Sequence, residues 1–346
     1  MKFTKFHSLG NDFLIVDLDE AALREEPAAL SRRICERHTG VGADGLLLIS
    51  VLDRARGEVR FRIFNADGSE AEISGNGLRC AAAYLYSQQR IDPDIVRFET
   101  STGIRECQLI ERNESVYLIK IEMGVPRFRS RDIPFDDGVP YERIVDYPLM
   151  INCKTYPVTV VSMGNPHCSL FVDRFSSRIE WLEIGREIEC HPFFPNRTNI
   201  EFVRLAGKDE IEVLFWERGV GETLSSGSGS CAAAVASIIK GLVGRRVTVR
   251  TSMGSLLVEW PGDEDRVFQT GPAEFAFVGS FLNTFLRKSE IRFPTKCAAN
   301  SPPERKILYL HFLVTEGSVS AFLAINEERR GILFGEAQGE LSSRQN

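Results

Sequence analysis

Asn65–Cys80, NADGSEAEISGNGLRC, is a polar loop that tightens into a glycine turn and then opens a helix at Gly77-Leu78-Arg79-Cys80-Ala81-Ala82-Ala83. Glycines in SGNG permit positive φ and let backbone N–H groups approach a ligand closely. The helix start that follows presents unpaired donors and the positive end of its macrodipole. Such a turn suits a carboxylate or another small anion. A second stretch, Glu217–Ala232 (ERGVGETLSSGSGSCA), has the same build: a charged lead-in, a Ser-Gly-x-Gly turn and an Ala-rich helix. Ser74-Gly75-Asn76-Gly77 answers Ser226-Gly227-Ser228-Gly229, which marks a degenerate internal repeat. Two equivalent helix N-termini can then face one shared site, each supplying one side chain. That geometry fits chemistry that needs a group on each of two opposite faces of a substrate.

The paired segments resemble diaminopimelate epimerase, a cofactor-independent enzyme of lysine synthesis related to proline racemase. FHSLGNDFLIVD near the start, GVGADGLLLI, Gly164-Asn165-Pro166-His167 and RTNIEFV at Arg197–Val203 carry the likeness further, in family order, over residues 1–281. The resemblance implies an α/β fold of α+β type, with two pseudo-symmetric epimerase-like domains, each an antiparallel sheet curled around a central helix. Residues 1–123 with 270–281 are expected to form the first domain and 124–269 the second. An extension, 282–346, lies beyond the likeness. The implied chemistry is two-base proton transfer at the α-carbon of an amino acid, LL- to meso-diaminopimelate, without cofactor or metal.

The family places its two catalytic cysteines immediately before the glycine turns; here those positions hold Ser74 and Ser226. Cysteine suits both roles because its pKa, about 8.5 when free, falls at a helix N-terminus. A thiol and a thiolate can then exchange duties between the two faces. A serine hydroxyl is a far weaker acid and becomes a base only beside another base. His167 and Glu217 are the candidate helpers. By resemblance, Gly75, Asn76, Gly227 and Ser228 hold the substrate carboxylate, Glu217 and Arg218 grip the substrate, and Asn11, Asn65, Asn165 and Asn199 make polar contacts to it. Cys80 and Cys231, six and five residues beyond the serines, fall on a different helix face and read as packing. A silent amino-acid binder on the same scaffold and a hydroxy-amino-acid dehydratase are the alternatives. No GxSxG elbow marks a hydrolase.

Composition bounds the rest. The 346 residues, 43% of them hydrophobic, supply two cores, and the net charge of −6 argues against a polyanion-binding surface. Eight scattered cysteines form no CxxC pair, the N-terminus MKFTKFHSLG reads as lacking an apolar signal-peptide core, and the longest apolar runs, near Ala232–Val243 and Ile307–Val314, fall short of a membrane span. A cytoplasmic protein acting on a small molecule, with neither nucleic acid nor membrane as partner, is the expectation. A homodimer is implied by analogy with the family.

Along the chain, Lys2–Leu18 reads as a strand, a Gly10-Asn11-Asp12 turn and a second strand, Phe13–Val16, and Glu20–His38 as a charged amphipathic helix. Pro134–Pro148 reads as a surface excursion. In the extension, KSEIRFPTKCAANSPPERK reads as linker, and ILYLHFLVTEGSVSAFLAI suits a hairpin or an added helix.

Overall fold

The computed structural model describes residues 1–19, 23 and 25–281, with the backbone of 308–315 and 318–325. The chain divides into two compact units, Met1–Thr284 and Phe285–Asn346. Within the first, the order is β1 (Lys2–Ser8), β2 (Asn11–Asp17), α1 (Pro27–Ile34), β3 (Gly45–Asp53), β4 (Glu58–Asn65), β5 (Glu70–Ala71), α2 (Gly75–Ser87), β6 (Ile95–Thr100), β7 (Gly103–Arg112) and β8 (Val116–Gly124). After a 3-10 turn and β9 (Ile144–Ile151), the same order recurs. It runs β10 (Lys154–Ser162), β11 (Pro166–Phe171), α3 (Arg178–Glu189), β12 (Asn199–Gly207), β13 (Glu210–Glu217), β14 (Gly221–Thr223), α4 (Gly227–Ile239), β15 (Arg246–Thr251), β16 (Gly254–Glu259) and β17 (Val267–Ser280).

Each half curls its sheet around one helix. In the first, pairing runs β1-β2-β3-β4-β6-β7-β8-β17 and returns from β17 to β1, a closed ring about α2. Residues Asn76 through Tyr86 of α2 are buried on every side, as a helix threaded through a barrel requires. Ala81-Ala82-Ala83 leave room for Phe61, Ile63, Phe98 and Ile119 to close around it. In the second half, β10-β11-β12-β13-β15-β16-β17 wraps α4, and a bridge between Arg127 and Ser162 draws its ends together beyond β8. Val203, Phe215, Val249, Val258 and Trp260 pack that core.

The antiparallel expectation needs one amendment. Parallel pairs occur at β2–β3 and β4–β6, and again at β11–β12 and β13–β15. Each is bridged by one of the four helices in turn, because two parallel strands can be joined only by a crossover.

Other expectations also shift. The charged helix expected over Glu20–His38 is α1, only Pro27–Ile34, with Pro27 fixing its start because proline fits the first turn and not the interior. Residues 20–22 and 24 lie outside the described residues. Pro134–Pro148 is more than a surface excursion. Phe135 is buried, and its ring meets those of Tyr141, Tyr147, Phe193 and Phe194 edge-on, anchoring a third core. In the second unit, Leu308–Thr315 and Ser318–Ile325 pair as an antiparallel hairpin; the linker before it lies outside the described residues.

Gly271 of β17 is a position where close approach demands glycine. A Cβ there would lie 2.2 Å from Leu256 Cδ2 and 3.3 Å from Arg79 Nε. Overpacking of this kind costs about 1–3 kcal/mol. A Gly271→Ala protein should therefore show a lower urea midpoint at unchanged m-value.

Candidate active site

Ser74 and Ser226 are the N-caps of α2 and α4 and have nearly the same backbone geometry, φ/ψ of −140/122° and −133/127°. Each side chain accepts from the backbone three residues on, Ser74 Oγ from Gly77 N at 3.1 Å and Ser226 Oγ from Gly229 N at 3.3 Å. Each carbonyl takes the next amide, those of Leu78 and Ser230. The N–H groups of Gly75 and Asn76, and of Gly227 and Ser228, are then left without intrahelical partners. The two helix starts abut: a Cβ placed on Gly227 would lie 4.0 Å from Gly75 Cα. The repeat read from the sequence thus converges on one spot.

Around that spot the halves differ. Ser226 Oγ donates to Glu217 Oε2 at 3.1 Å, and Glu217 Oε1 accepts from Thr223 Oγ1 at 2.6 Å. No such carboxylate or imidazole hydrogen-bonds Ser74 among the described residues. His167 is buried behind the start of α4, where its partner Glu201 would lie 3.0 Å from a Cβ on Gly229, and it bonds neither serine. Its Nδ1 lies 2.6 Å from Glu201 Oε1 and its Nε2 lies 2.9 Å from Asn165 Oδ1. Burial pushes the Glu201 carboxyl up, opposed by the His167 ring beside it. Of the two candidate helpers, Glu217 meets a serine and His167 does not.

The asparagines serve the scaffold in part. Asn11 Nδ2 donates to Asp44 at 2.8 Å, and its carbonyl accepts from Asn76 Nδ2 at 3.2 Å. Asn65 is exposed at the end of β4 and donates to Ser69 Oγ at 2.9 Å. Asn199 is buried; it donates to the Pro166 carbonyl and accepts from Arg218 N, both at 2.9 Å, so its amide shapes the turn that carries Arg218. The Arg218 side chain is exposed and donates to the Asn196 carbonyl at 3.0 Å. Ser225 Oγ donates to the Leu9 carbonyl at 3.0 Å and ties the α4 turn to the β1–β2 turn. Leu9 itself holds φ +51°, uncommon for a residue with a side chain, while packing into the second core.

Cys80 and Cys231 are fully buried, and burial pushes the Cys231 thiol up to about 12 and that of Cys80 further. Neither supplies a thiolate near neutral pH. Among the described residues, no three His, Cys, Asp or Glu side chains converge as metal ligands, and no helix is long and apolar enough to cross a membrane.

Sequence reasoning passed over Arg79, Gln269 and Glu189. Arg79 is fully buried beneath the paired helix starts and bonds Ser8 Oγ at 2.9 Å, Gln269 Oε1 at 2.5 Å and Asn76 Oδ1. A lone charge inside an Ala-rich run was the available signal. Gln269, from β17, had none.

The family model for diaminopimelate epimerase matches residues 3–129 and 159–276. The chain belongs to the diaminopimelate epimerase family. A diaminopimelate epimerase from Pelotomaculum thermopropionicum is 44% identical over 282 residues, 81% of this chain and 99% of the relative. Among solved structures, a PhzF-family phenazine biosynthesis protein from Bacillus anthracis matches 82% of this chain and 99% of its own, with TM-score 0.57 and 15% identity. A probable proline racemase from Agrobacterium radiobacter matches 83% and 94%, with TM-score 0.57 and 13% identity. These two share the fold. The family's enzymes, as epimerases, are isomerases.

Glu189 positions the Glu217–Arg218 turn in this family scaffold. It accepts from Trp216 Nε1 at 2.7 Å, Gly219 N at 2.9 Å and Arg197 at 3.2 Å. Burial pushes its carboxyl up, but these donors together outweigh it and hold the pKa below the ordinary 4.5. Because the folded value is the lower one, the stabilisation is present above the unfolded value and fades as pH falls through the folded one. Glu189→Gln should cost about 2 kcal/mol at pH 7. In urea titrations across pH, that gap should close below about pH 4.5.

Proposed function

We propose that the chain is an amino-acid epimerase of the diaminopimelate type, with Ser74 and Ser226 in the two acid/base positions. The supporting observation is the abutment of two serine-capped helix starts at Gly75 and Gly227. Their free N–H groups suit an α-carboxylate, whose charge grows as the α-proton leaves. Residues 1–123 with 270–281 and residues 124–269 would act as two lobes around the substrate, and closure would exclude water. Asn11, Asn65, Asn165, Asn199, Glu217 and Arg218 would line the substrate's amino-acid ends. The family resemblance carries with it a cytoplasmic place in lysine biosynthesis and a homodimeric assembly.

The serines make the two faces unequal. Ser226 can take an α-proton while passing its own hydroxyl proton to Glu217, so that the carboxylate ends protonated and the serine neutral. Ser74 then donates its proton to the opposite face of the carbanion and is left as an alkoxide; water reprotonates it, and the hydroxide so formed takes the proton held on Glu217, which restores both residues. Proton removal by Ser74 has no such partner. Turnover in that direction is slow, and a second reading, binding without turnover, follows from the same observation.

Proton NMR of LL-diaminopimelate in deuterated buffer tests both. The Ser74→Cys/Ser226→Cys protein should wash out the α-proton at least 100-fold faster than the natural chain, since an acidic thiol replaces a hydroxyl at each face. In the natural chain, Glu217→Gln should abolish whatever exchange remains. Residual exchange unaffected by Glu217→Gln would remove Ser226 as the assisted base. Exchange by neither serine nor cysteine protein would leave diaminopimelate as the wrong substrate.

A further inference from the structure

We propose that Arg79 is a positioning residue whose uncompensated buried charge, transmitted through Gln269, prepares the paired helix starts for a carboxylate. Arg79 is fully buried, yet its hydrogen-bond partners, Ser8, Gln269 and Asn76, are all neutral. Among the described residues it forms no ion pair. A buried arginine ordinarily has a carboxylate partner, because an unpaired buried charge is costly.

The surroundings keep that charge in place. The titratable groups facing Arg79 are the thiols of Cys80, Cys107 and Cys231, all fully buried. Burial raises each thiol, that of Cys231 to about 12, so none offsets the guanidinium at neutral pH. Burial also lowers Arg79, to about 10, which leaves it protonated at pH 7.

Gln269 carries the link to the site. Because Arg79 only donates, the side-chain oxygen of Gln269 must face it, which fixes the amide orientation. Its Nε2 then donates to the Gly227 carbonyl at 2.8 Å and to Cys231 Sγ at 3.4 Å. Its Oε1 would lie 3.8 Å from a Cβ on Gly75 and 3.6 Å from one on Gly227. One guanidinium therefore stands a single amide behind both helix starts. Asn76, held by Arg79 on one side and donating to Asn11 on the other, extends the same grip to the β1–β2 turn. An anion at the helix starts would supply the compensation that the protein withholds.

This inference rests on the anion-binding reading of the site, and the experiment separates the two. Gln269→Glu places a carboxylate against Arg79 and cancels its charge with little change of shape. Gln269→Met loses the donations to Gly227 and Cys231 as Gln269→Glu does, removes the acceptor for Arg79 as well, and leaves the charge. Calorimetry would compare LL-diaminopimelate with its diamide, in which neutral amides replace both carboxylates, on the natural chain and both variants. Gln269→Glu should weaken diaminopimelate about 10-fold while leaving the diamide within about twofold. Gln269→Met should weaken both ligands alike, and less than Gln269→Glu weakens the diacid. Arg79→Gln should repeat the Gln269→Glu pattern, and Arg79→Lys should restore part of the selectivity for the diacid. Equal loss of diacid and diamide in Gln269→Glu would reduce Arg79 to a structural role and overturn the proposal. If the natural chain binds neither ligand, the substrate reading fails, and thermal melts in sulfate then decide on Arg79. Sulfate stabilises folded proteins generally, so the reading is the difference: the rise in melting temperature should be larger for the natural chain and for Gln269→Met than for Gln269→Glu. An equal rise in all three would overturn the proposal.

Discussion

Two helices threaded through curled sheets cannot slide, and that constraint fixes everything at the site. Residues Asn76–Tyr86 of α2 and Gly229–Ile238 of α4 are enclosed by strands, so the place where each helix begins is set by the sheets around it. The sheets are not independent. β17 pairs with β16 and β8 through its first half and with β1 through its second, so one strand passes from the second core to the first. Abutment of Gly75 and Gly227 follows from that shared strand. A Cβ at Gly75 would meet Met123 and Gln269 at ordinary contact distance, and one at Gly227 would meet Gln269 and Gly75, so both helix starts pack on the same glutamine.

Keeping polar groups inside such a structure requires that each be matched. Glu201, buried with His167, accepts from that ring and from Ser169. Glu189 gathers a ring N–H, a backbone N–H and a guanidinium. Buried networks of this kind rigidify a site when every member is satisfied. The first network joins β11 to β12 beneath the start of α4, and the second ties the end of α3 to β13 and the turn after it. Under the first turn the corresponding element is a guanidinium held by neutral oxygens. Pseudo-symmetry therefore holds for the backbone and fails for the charges, and the inequality of Ser74 and Ser226 is one consequence of that failure.

How much of this was legible depended on how local the signal was. The two glycine turns, the repeat and the helices that follow are short-range patterns, and the structure begins α2 and α4 at Gly75 and Gly227 as the turn chemistry requires. Strand alternation marks the two strands about the Gly10-Asn11-Asp12 turn but does not show which strands pair in parallel, because pairing partners lie far apart in sequence. α1 was overextended because its charged flanks looked helical, whereas Pro27 sets the boundary. Pro134–Pro148 reads as a surface segment because it is rich in proline and aspartate, yet Phe135 meets Phe193 and Phe194, Tyr147 meets Phe193, and Tyr141 packs on Phe135 and Tyr147. Glu217 beside Ser226 spans nine residues through a tight turn, and only the pairing of β13 with β14 brings it round. Gln269 lies 190 residues from Arg79, a separation no motif reports.

The serines themselves illustrate a trade between helix stability and acidity. Serine is among the best N-cap residues, worth about 1 kcal/mol over alanine, because its oxygen matches the orphaned amide three residues on. Both serines use that ability, on Gly77 and on Gly229. Ser226 spends its remaining hydrogen on Glu217, so its hydroxyl is fully engaged within the protein. The hydroxyl hydrogen of Ser74 has no acceptor among the described residues and is free to turn toward a ligand. A thiol in either place would cap weakly but ionise readily, since sulfur is a poor hydrogen-bond acceptor and a far better acid. A turn that must position a proton-transfer group is thus better held together by the residue less able to transfer the proton. Stability and chemistry make opposite demands on the same atom, a conflict common where a site requires strain or reactivity that folding alone would not select.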